Sequence, residues 1–250
     1  MNADGSNMQR LTITPATDFY PSLSADGQTI VFSTRRDNNF EIYALNVDGT
    51  NPRRLTQNLG SNFGPALSPD GLRIVFASVQ DNGQHIWRMD SDGANPTQLT
   101  NRGGDVDPEW SPDGTQIAFA SNRSGTTELY VMNVADALQG TDDSSVRQVT
   151  FGLVIGGRSD WSADGQQLTF YAGPAGARNI YLINVDGSHL RQLTDSGDNR
   201  GPTFSPDGSW IAFTGFREGD NEIYLIRPDG SQLTQLTFNT RPDWQPRWGP

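Results

Sequence analysis

The chain of 250 residues contains no cysteine and only two histidines, His85 and His189. Without thiols, disulfides and thiolate chemistry are excluded, while the redox compartment stays open. No apolar run approaches the roughly 18 residues that a membrane-spanning helix needs, so no membrane insertion is expected. Positive charge is also scarce, with 18 basic against 29 acidic residues and a formal net charge of −11. That balance speaks against a nucleic-acid backbone or an anionic membrane as partner and is compatible with a basic or metal-bearing one. It also serves plain solubility. Two catalytic signatures are missing: there is no Gly-x-Ser-x-Gly elbow and no Gly-rich phosphate loop.

What the chain has in quantity is turn residues. Glycine occurs 27 times and proline 15 times, a composition suited to many short strands and tight turns. Three markers recur in fixed order. A Ser-x-Asp-Gly turn appears at Ser24–Gly27, Ser68–Gly71, Ser111–Gly114, Ser162–Gly165 and Ser205–Gly208. An aliphatic-aromatic pair follows at Ile42-Tyr43, Ile86-Trp87, Leu129-Tyr130, Ile180-Tyr181 and Ile223-Tyr224. An aliphatic-threonine pair closes each unit, and successive threonines (Thr12, Thr56, Thr100, Thr150, Thr194, Thr237) are spaced by 44, 44, 50, 44 and 43 residues. A period of this size signals stacked supersecondary units.

Each unit reads as four short antiparallel strands, A to D, because Asp-Gly pairs supply the positive torsions of hairpin turns between A and B and between C and D. No helix is required. One such sheet cannot bury both faces alone, so the units are expected to pack face to face around an axis as an all-β propeller. The repeats run about 13–56, 57–100, 101–150, 151–194 and 195–237, within a single domain. Residues 1–12 and 238–250 form a partial sixth blade, contributing a D strand and an A strand. A six-bladed ring is favoured. Bulky strand-A residues (Leu23, Leu67, Trp110, Trp161, Phe204, Trp248) and strand-B phenylalanines (Phe32, Phe76, Phe119, Phe170, Phe213) are the expected wedge between blades.

The run Pro108-Glu109-Trp110-Ser111-Pro112-Asp113-Gly114, with Ile117–Arg123 and Leu129–Asn133 after it, resembles the repeat of TolB-like (PD40, WD40-like) propellers. The resemblance implies a propeller, commonly six-bladed, in periplasmic or secreted bacterial proteins that bind other proteins. Nothing matches the additional N-terminal domain of TolB itself. Relatives in which such a propeller precedes a hydrolase domain make the alternative an accessory propeller of a larger peptidase- or lyase-like enzyme. The register of the two ends suggests a piece excised from a longer protein, so the lack of a signal peptide at Met1–Gly5 carries no weight. Unpaired A and D strands would also offer a route to self-association.

No catalytic constellation emerges: His85 opens a strand C and His189 follows a C–D turn two units away, so neither a Ser-His-Asp arrangement nor a zinc site can be assembled. No cofactor is expected. Calcium takes oxygen ligands, and Asp105 with Asp107 is the candidate pair, although no twelve-residue calcium loop is present. The D–A links and B–C loops emerge together around one mouth of the channel, and the triplets preceding strand A vary while the strands do not. Asp18, Phe19, Tyr20, Asn62, Phe63, Asp105, Asp107, Arg158, Asn199, Arg200 and Trp244 are therefore the candidate partner-binding residues. A nine-residue insertion, 135–143, lengthens the third C–D connection.

Overall fold

A computed structural model describes every residue except 3, 58, 59, 82, 140–143, 218, 240 and 250. Five sheets of four antiparallel strands follow one another along the chain. Blade 1 is β1 (Asp18–Leu23), β2 (Thr29–Thr34), β3 (Glu41–Asn46) and β4 (Arg53–Arg54), and blade 2 is β5 (Ser61–Leu67), β6 (Arg73–Gln80), β7 (Gly83–Asp90) and β8 (Thr97–Gln98). Blade 3 is β9 (Asp105–Trp110), β10 (Gln116–Ser121), β11 (Glu128–Asn133) and β12 (Val146–Gln148). Blade 4 is β13 (Ile155–Trp161), β14 (Gln167–Ala172), β15 (Asn179–Asn184) and β16 (Arg191–Gln192). Blade 5 is β17 (Asp198–Phe204), β18 (Ile211–Arg217), β19 (Asp220–Ile226) and β20 (Thr234–Gln235).

The recurring markers each have a structural job. In the A–B turn, Ser24 Oγ donates to Asp26 Oδ1 at 2.6 Å and accepts the Thr29 amide at 2.9 Å, and the other four turns repeat this pair of bonds. Gly27 takes φ 68°, a conformation that favours glycine. The strand-D threonine is a buried bracket: Thr56 Oγ1 accepts the Ile42 amide at 2.9 Å and donates to Glu41 Oε2 at 2.5 Å. Thr150 does the same with Leu129 and Glu128, and Thr237 with Ile223 and Glu222. His85 occupies the glutamate's position in blade 2, next to Ile86, whose amide donates to Thr100. That histidine is part of the frame.

Blades are joined by apolar faces. Blade 1 presents Val31, Ile42, Ala44 and Leu55 to Leu67, Ile74, Phe76 and Met89 of blade 2, and three further clusters join blades 2 to 3, 3 to 4 and 4 to 5. Phe76, Phe119, Phe170 and Phe213 are fully buried at equivalent places. Burying one such ring contributes about 2–3 kcal/mol. Two strand-A tryptophans also stitch neighbours, with Trp110 Nε1 donating to Ala66 O and Trp161 Nε1 to Glu109 O, each at 3.2 Å.

The favoured sixth blade is not formed as a sheet. Residues 1–17 and 238–249 contain no strand among the described residues, because an A and a D segment without B and C between them have no ladder to join. Both segments nevertheless sit in register. Gly5, at φ 83°, closes a turn from its amide to Asn2 O at 2.9 Å, as Gly49 does to Asn46 at 2.8 Å. Gly5 packs on the Leu236 carbonyl as Gly49 packs on that of Leu11 and Gly93 on that of Leu55. Innermost strands contact in the order β1, β5, β9, β13, β17, while β17 and β1 make no comparable contact. The terminal segments occupy that seam. One helical turn, α1 (Val134–Ala137), interrupts the all-strand pattern. It opens the insertion, where the Asn133 side chain caps it by accepting the Ala135 amide. Residues 140–143 of that insertion lie outside the described residues.

Candidate functional site

Every innermost strand is irregular at its entrance. Register breaks fall between Phe19 and Ser22, Phe63 and Ala66, Val106 and Glu109, Ile155 and Ser159, and Arg200 and Thr203. At the break the backbone turns left-handed, at Tyr20 (φ 53°), Gly64 (61°), Asp107 (51°), Gly157 (127°) and Gly201 (55°), and Gln245 (55°) repeats it in the seam. Proline follows at 21, 65, 108, 202 and 246, where no ladder donor is wanted. The bulge turns one side chain per sector into the channel: Tyr20, Asp107, Arg158 and Gln245, with glycine at 64 and 201.

Neighbouring sectors are tied through these positions. The Gly64 amide donates to Ser33 Oγ at 3.1 Å, the Gln245 amide to Thr214 Oγ1 at 2.9 Å, and the Tyr20 amide to Gln245 Oε1 at 2.7 Å. A Cβ at Gly157 would overlap the Asp107 carboxylate. Arg158 is 7% exposed, donates Nη2 to Pro21 O at 3.1 Å and lies 5.7 Å over the Tyr20 ring. Its pKa falls to about 10, first through burial and then through Arg247. Burial likewise raises the carboxyl pKa of Asp107. A cavity of about 160 Å³ remains, walled by Tyr20, Asp107, Arg158, Tyr171, Arg200 and Trp244 among others. It is smaller than a usual small-molecule site.

The layer beneath carries Ser22, Ala66, Glu109, Asp160 and Thr203 from the five blades and Arg247 from the seam. Arg247 pairs with Glu109 and, at 3.4 Å, with Asp160. Asp160 Oδ2 also accepts Thr203 Oγ1 at 2.8 Å and the Phe204 amide at 2.7 Å. Burial pushes the Glu109 carboxyl up, with Asp160 adding to it. For Arg247 burial opposes the charge, but Glu109 and Asp160 outweigh it and hold the pKa above the ordinary arginine value.

The residues singled out from sequence divide into frame and rim. Asp18 pairs with Arg36 at 3.2 Å, and buried Asp105 pairs with Arg123 at 3.0 Å. Asn62 donates to Glu41 Oε2 and Gly60 O. Asn199 donates to Arg178 O, Thr194 Oγ1 and Ser196 O and accepts from Arg217. These four anchor loops. The calcium pair is not brought together: both Asp105 oxygens face Arg123, whereas Asp107 turns into the channel. Among the described residues no group of three acidic or histidine side chains could hold a metal ion.

The rim proper is aromatic and cationic. Phe19, Phe40 and Phe63 form a row with ring centroids 6.0 and 6.4 Å apart, and Arg35 lies 5.0 Å from Phe40. Arg200, bonded to Asp198, lies 5.8 Å over the ring of Trp244. Sequence reasoning missed Phe151, Phe216 and Phe238. With Trp244 they are the exposed aromatic rings among the described residues, at 74%, 45%, 77% and 49%. All four fall on the D–A and B–C side. The signal was present: Phe151 and Phe238 directly follow the strand-D threonine, where other repeats carry Gln57, Asn101 and Asp195.

The opposite face is chemically different. Its A–B turns expose Asp26, Asp70, Asp113, Asp164 and Asp207, and its C–D turns expose Asp4, Asp48, Asp186 and Asp229. Hydrogen bonds from serine or threonine hydroxyls lower all nine carboxyl pKa values. Asp207 reaches about 2.

Comparison with known proteins agrees with this architecture. The family model of the TolB beta propeller domain, PD40, matches residues 56–153 and 154–250. No curated protein sequence matches the chain. Among solved structures, TolB from Acinetobacter baumannii superposes with a TM-score of 0.86 at 21% identity over 97% of this chain and 60% of that one. The chain thus spans about three fifths of that protein's length. A putative TolB from Agrobacterium tumefaciens gives 0.77 at 24% identity, covering 94% of this chain and 88% of that one. An oligogalacturonate lyase from Vibrio parahaemolyticus gives 0.62 at 18%, covering 90% and 67%. The chain belongs to the TolB β-propeller domain family.

Proposed function

We propose that this propeller is a non-catalytic binding module that docks a protein partner on the D–A and B–C loop face, around the channel mouth. One observation carries the reading: the four exposed aromatic rings among the described residues all lie on that face. Exposed aromatics near arginines are the side chains that dominate protein interfaces, because they bury large area at little entropic cost. Every basic residue in the chain is arginine, and Arg200 is already stacked on Trp244. Phe19, Tyr20 and Phe63 extend the patch across blades 1 and 2, and Asp107 and Arg158 give its centre a polar floor. The compartment is periplasmic or extracellular, as for the family's periplasmic members. Among the described residues no helix is long and apolar enough to cross a membrane. The ring is read as six-sectored, with the sixth sector held by the two terminal segments; the placement of Gly5 and Gln245 supports this.

A second reading, an accessory propeller within a larger enzyme, draws on the likeness to the oligogalacturonate lyase. A photo-crosslinking amino acid placed at Phe238 and, as control, at Leu72 on the turn face tests the docking proposal in a bacterial envelope extract. A discrete adduct from position 238 alone is expected. Equal labelling from both positions would contradict it.

A further inference from the structure

The strand-C residue after the aliphatic-aromatic pair is buried and apolar in four blades, as Ala44, Val131, Leu182 and Leu225. Blade 2 places Arg88 there. Its backbone keeps the regular ladder, opposite Val75 of β6 and Thr97 of β8, so no register slip turns the side chain to the other face. Two residues from Ile86, it lies on the side of the sheet that Val75 and Ile86 press against blade 3. Arg88 Nε is buried there without a hydrogen-bond partner, and the guanidinium enters no ion pair among the described residues. A buried charged donor left unmet is costly, and the sister blades build the same joint without one.

Beside it, on the turn face between blades 2 and 3, opens a cavity of about 550 Å³ with apolar walls from Pro69, Leu72, Trp110 and Val134. That volume is in the range of small-molecule sites. The other charged groups lining it are already engaged. Arg73 pairs with Asp90 at 3.4 Å and donates to Leu72 O at 2.9 Å. Asp70 Oδ1 accepts the Ser68 hydroxyl and the Leu72 amide, and Asp113 Oδ1 accepts the Ser111 and Thr115 hydroxyls and the Thr115 amide. Those bonds favour the ionised form of both carboxyls. The cavity therefore offers one unmet positive charge, an apolar wall and two standing negative charges. Such a set accepts a single negative charge and repels a second.

We propose that this cavity binds a small organic anion, one carboxylate on an apolar body. The guanidinium of Arg88 takes the carboxylate through charge-assisted hydrogen bonds, and the body lies against Trp110, Pro69 and Val134. The site is on the face opposite the docking surface and does not depend on it.

NMR titration of the nitrogen-15-labelled chain tests this, with the Arg88 Nε–H and the Trp110 indole N–H as reporters. The probes are acetate, hexanoate, phenylacetate and indole-3-acetate, with 2-phenylethylamine and inorganic phosphate as controls. Both reporters should shift saturably with the larger carboxylates, with half-saturation below about 1 mM. The amine lacks the negative charge and phosphate brings a second one toward Asp70 and Asp113, so neither should bind. Arg88→Leu, which gives blade 2 the residue type of blades 4 and 5, should weaken carboxylate binding at least about tenfold by the Trp110 signal while leaving the melting temperature unchanged or raised. A purely structural arginine would give the reverse, a clear fall in melting temperature. That fall would overturn the proposal, as would no saturable shift with any of the carboxylates, equal affinity in Arg88→Leu, or equal binding of the amine or phosphate.

Discussion

The two faces of the ring are built from the same repeats and have opposite chemistry. On the turn face the sequence barely varies, and its side chains are spent on the backbone: each Asp of an A–B turn accepts from the serine two residues before it and from an amide two residues after. On the loop face the same positions along the repeat change from blade to blade, and aromatic rings stand free of the frame. A turn that must reach positive φ fixes its residues, whereas a link between blades tolerates any sequence that spans the distance. Repetition therefore marks where the molecule speaks to itself, and variation marks where it can address something else.

Substitutions can break this contrast. The largest effect on stability is expected at a loop-face residue that belongs to the frame. Asp105→Ala leaves Arg123, which also packs 5.1 Å from Phe119 and Tyr130, without its carboxylate. It should cost about 3 kcal/mol in denaturant unfolding, close to the effect of breaking a buried pair. Binding by the folded fraction should be unchanged. Next comes the rim: Phe238→Ala with Trp244→Ala should weaken partner binding by about 2 kcal/mol, roughly thirtyfold, at nearly constant melting temperature. Calorimetry and a binding titration separate the two cases.

A smaller effect belongs to the turns. Ser205→Ala removes the hydroxyl that donates to Asp207 and accepts the Trp210 amide, at about 1 kcal/mol. Asp207 is depressed to about 2, so its contribution is complete above the ordinary aspartate value and is lost as pH falls through about 2. In Ser205→Ala the loss should begin at higher pH, which an NMR titration of the carboxyl would follow. The smallest effect is expected for Leu72→Ala and Leu190→Ala, exposed apolar residues on the turn face. They should change stability by no more than about 0.5 kcal/mol and binding not at all.

Much of the fold was legible because turn chemistry is local. Asp-Gly pairs and the threonine period locate five blades, and the strand-B phenylalanines fall in the buried wedge. The closing of the ring was not legible. Whether a sixth sheet forms depends on ladder partners that a repeat count does not supply, and the link from Arg247 to Glu109 spans 138 residues of sequence. The glutamate partners of Thr56, Thr150 and Thr237 also escaped notice, since a glutamate before an aliphatic residue looks like solvent-facing alternation until its burial is seen. At the candidate site, the variable triplets lie on the loop face together with the exposed aromatic rings. They could not separate Asn62, Asp105 and Asn199, which hold loops, from Phe19 and Trp244, which stand on the rim. Phe151 and Phe238 lay just outside the triplets, directly after the strand-D threonine.

The account rests on the loop face being the docking surface. The most direct measurement is the affinity of the crosslinked partner for two double variants of this chain, Phe238→Asp with Trp244→Asp on the loop face and Leu72→Asp with Leu190→Asp on the turn face. Loss of binding by the first and wild-type affinity for the second is the predicted result. Undiminished binding by the loop-face variant, or loss confined to the turn-face variant, would contradict it.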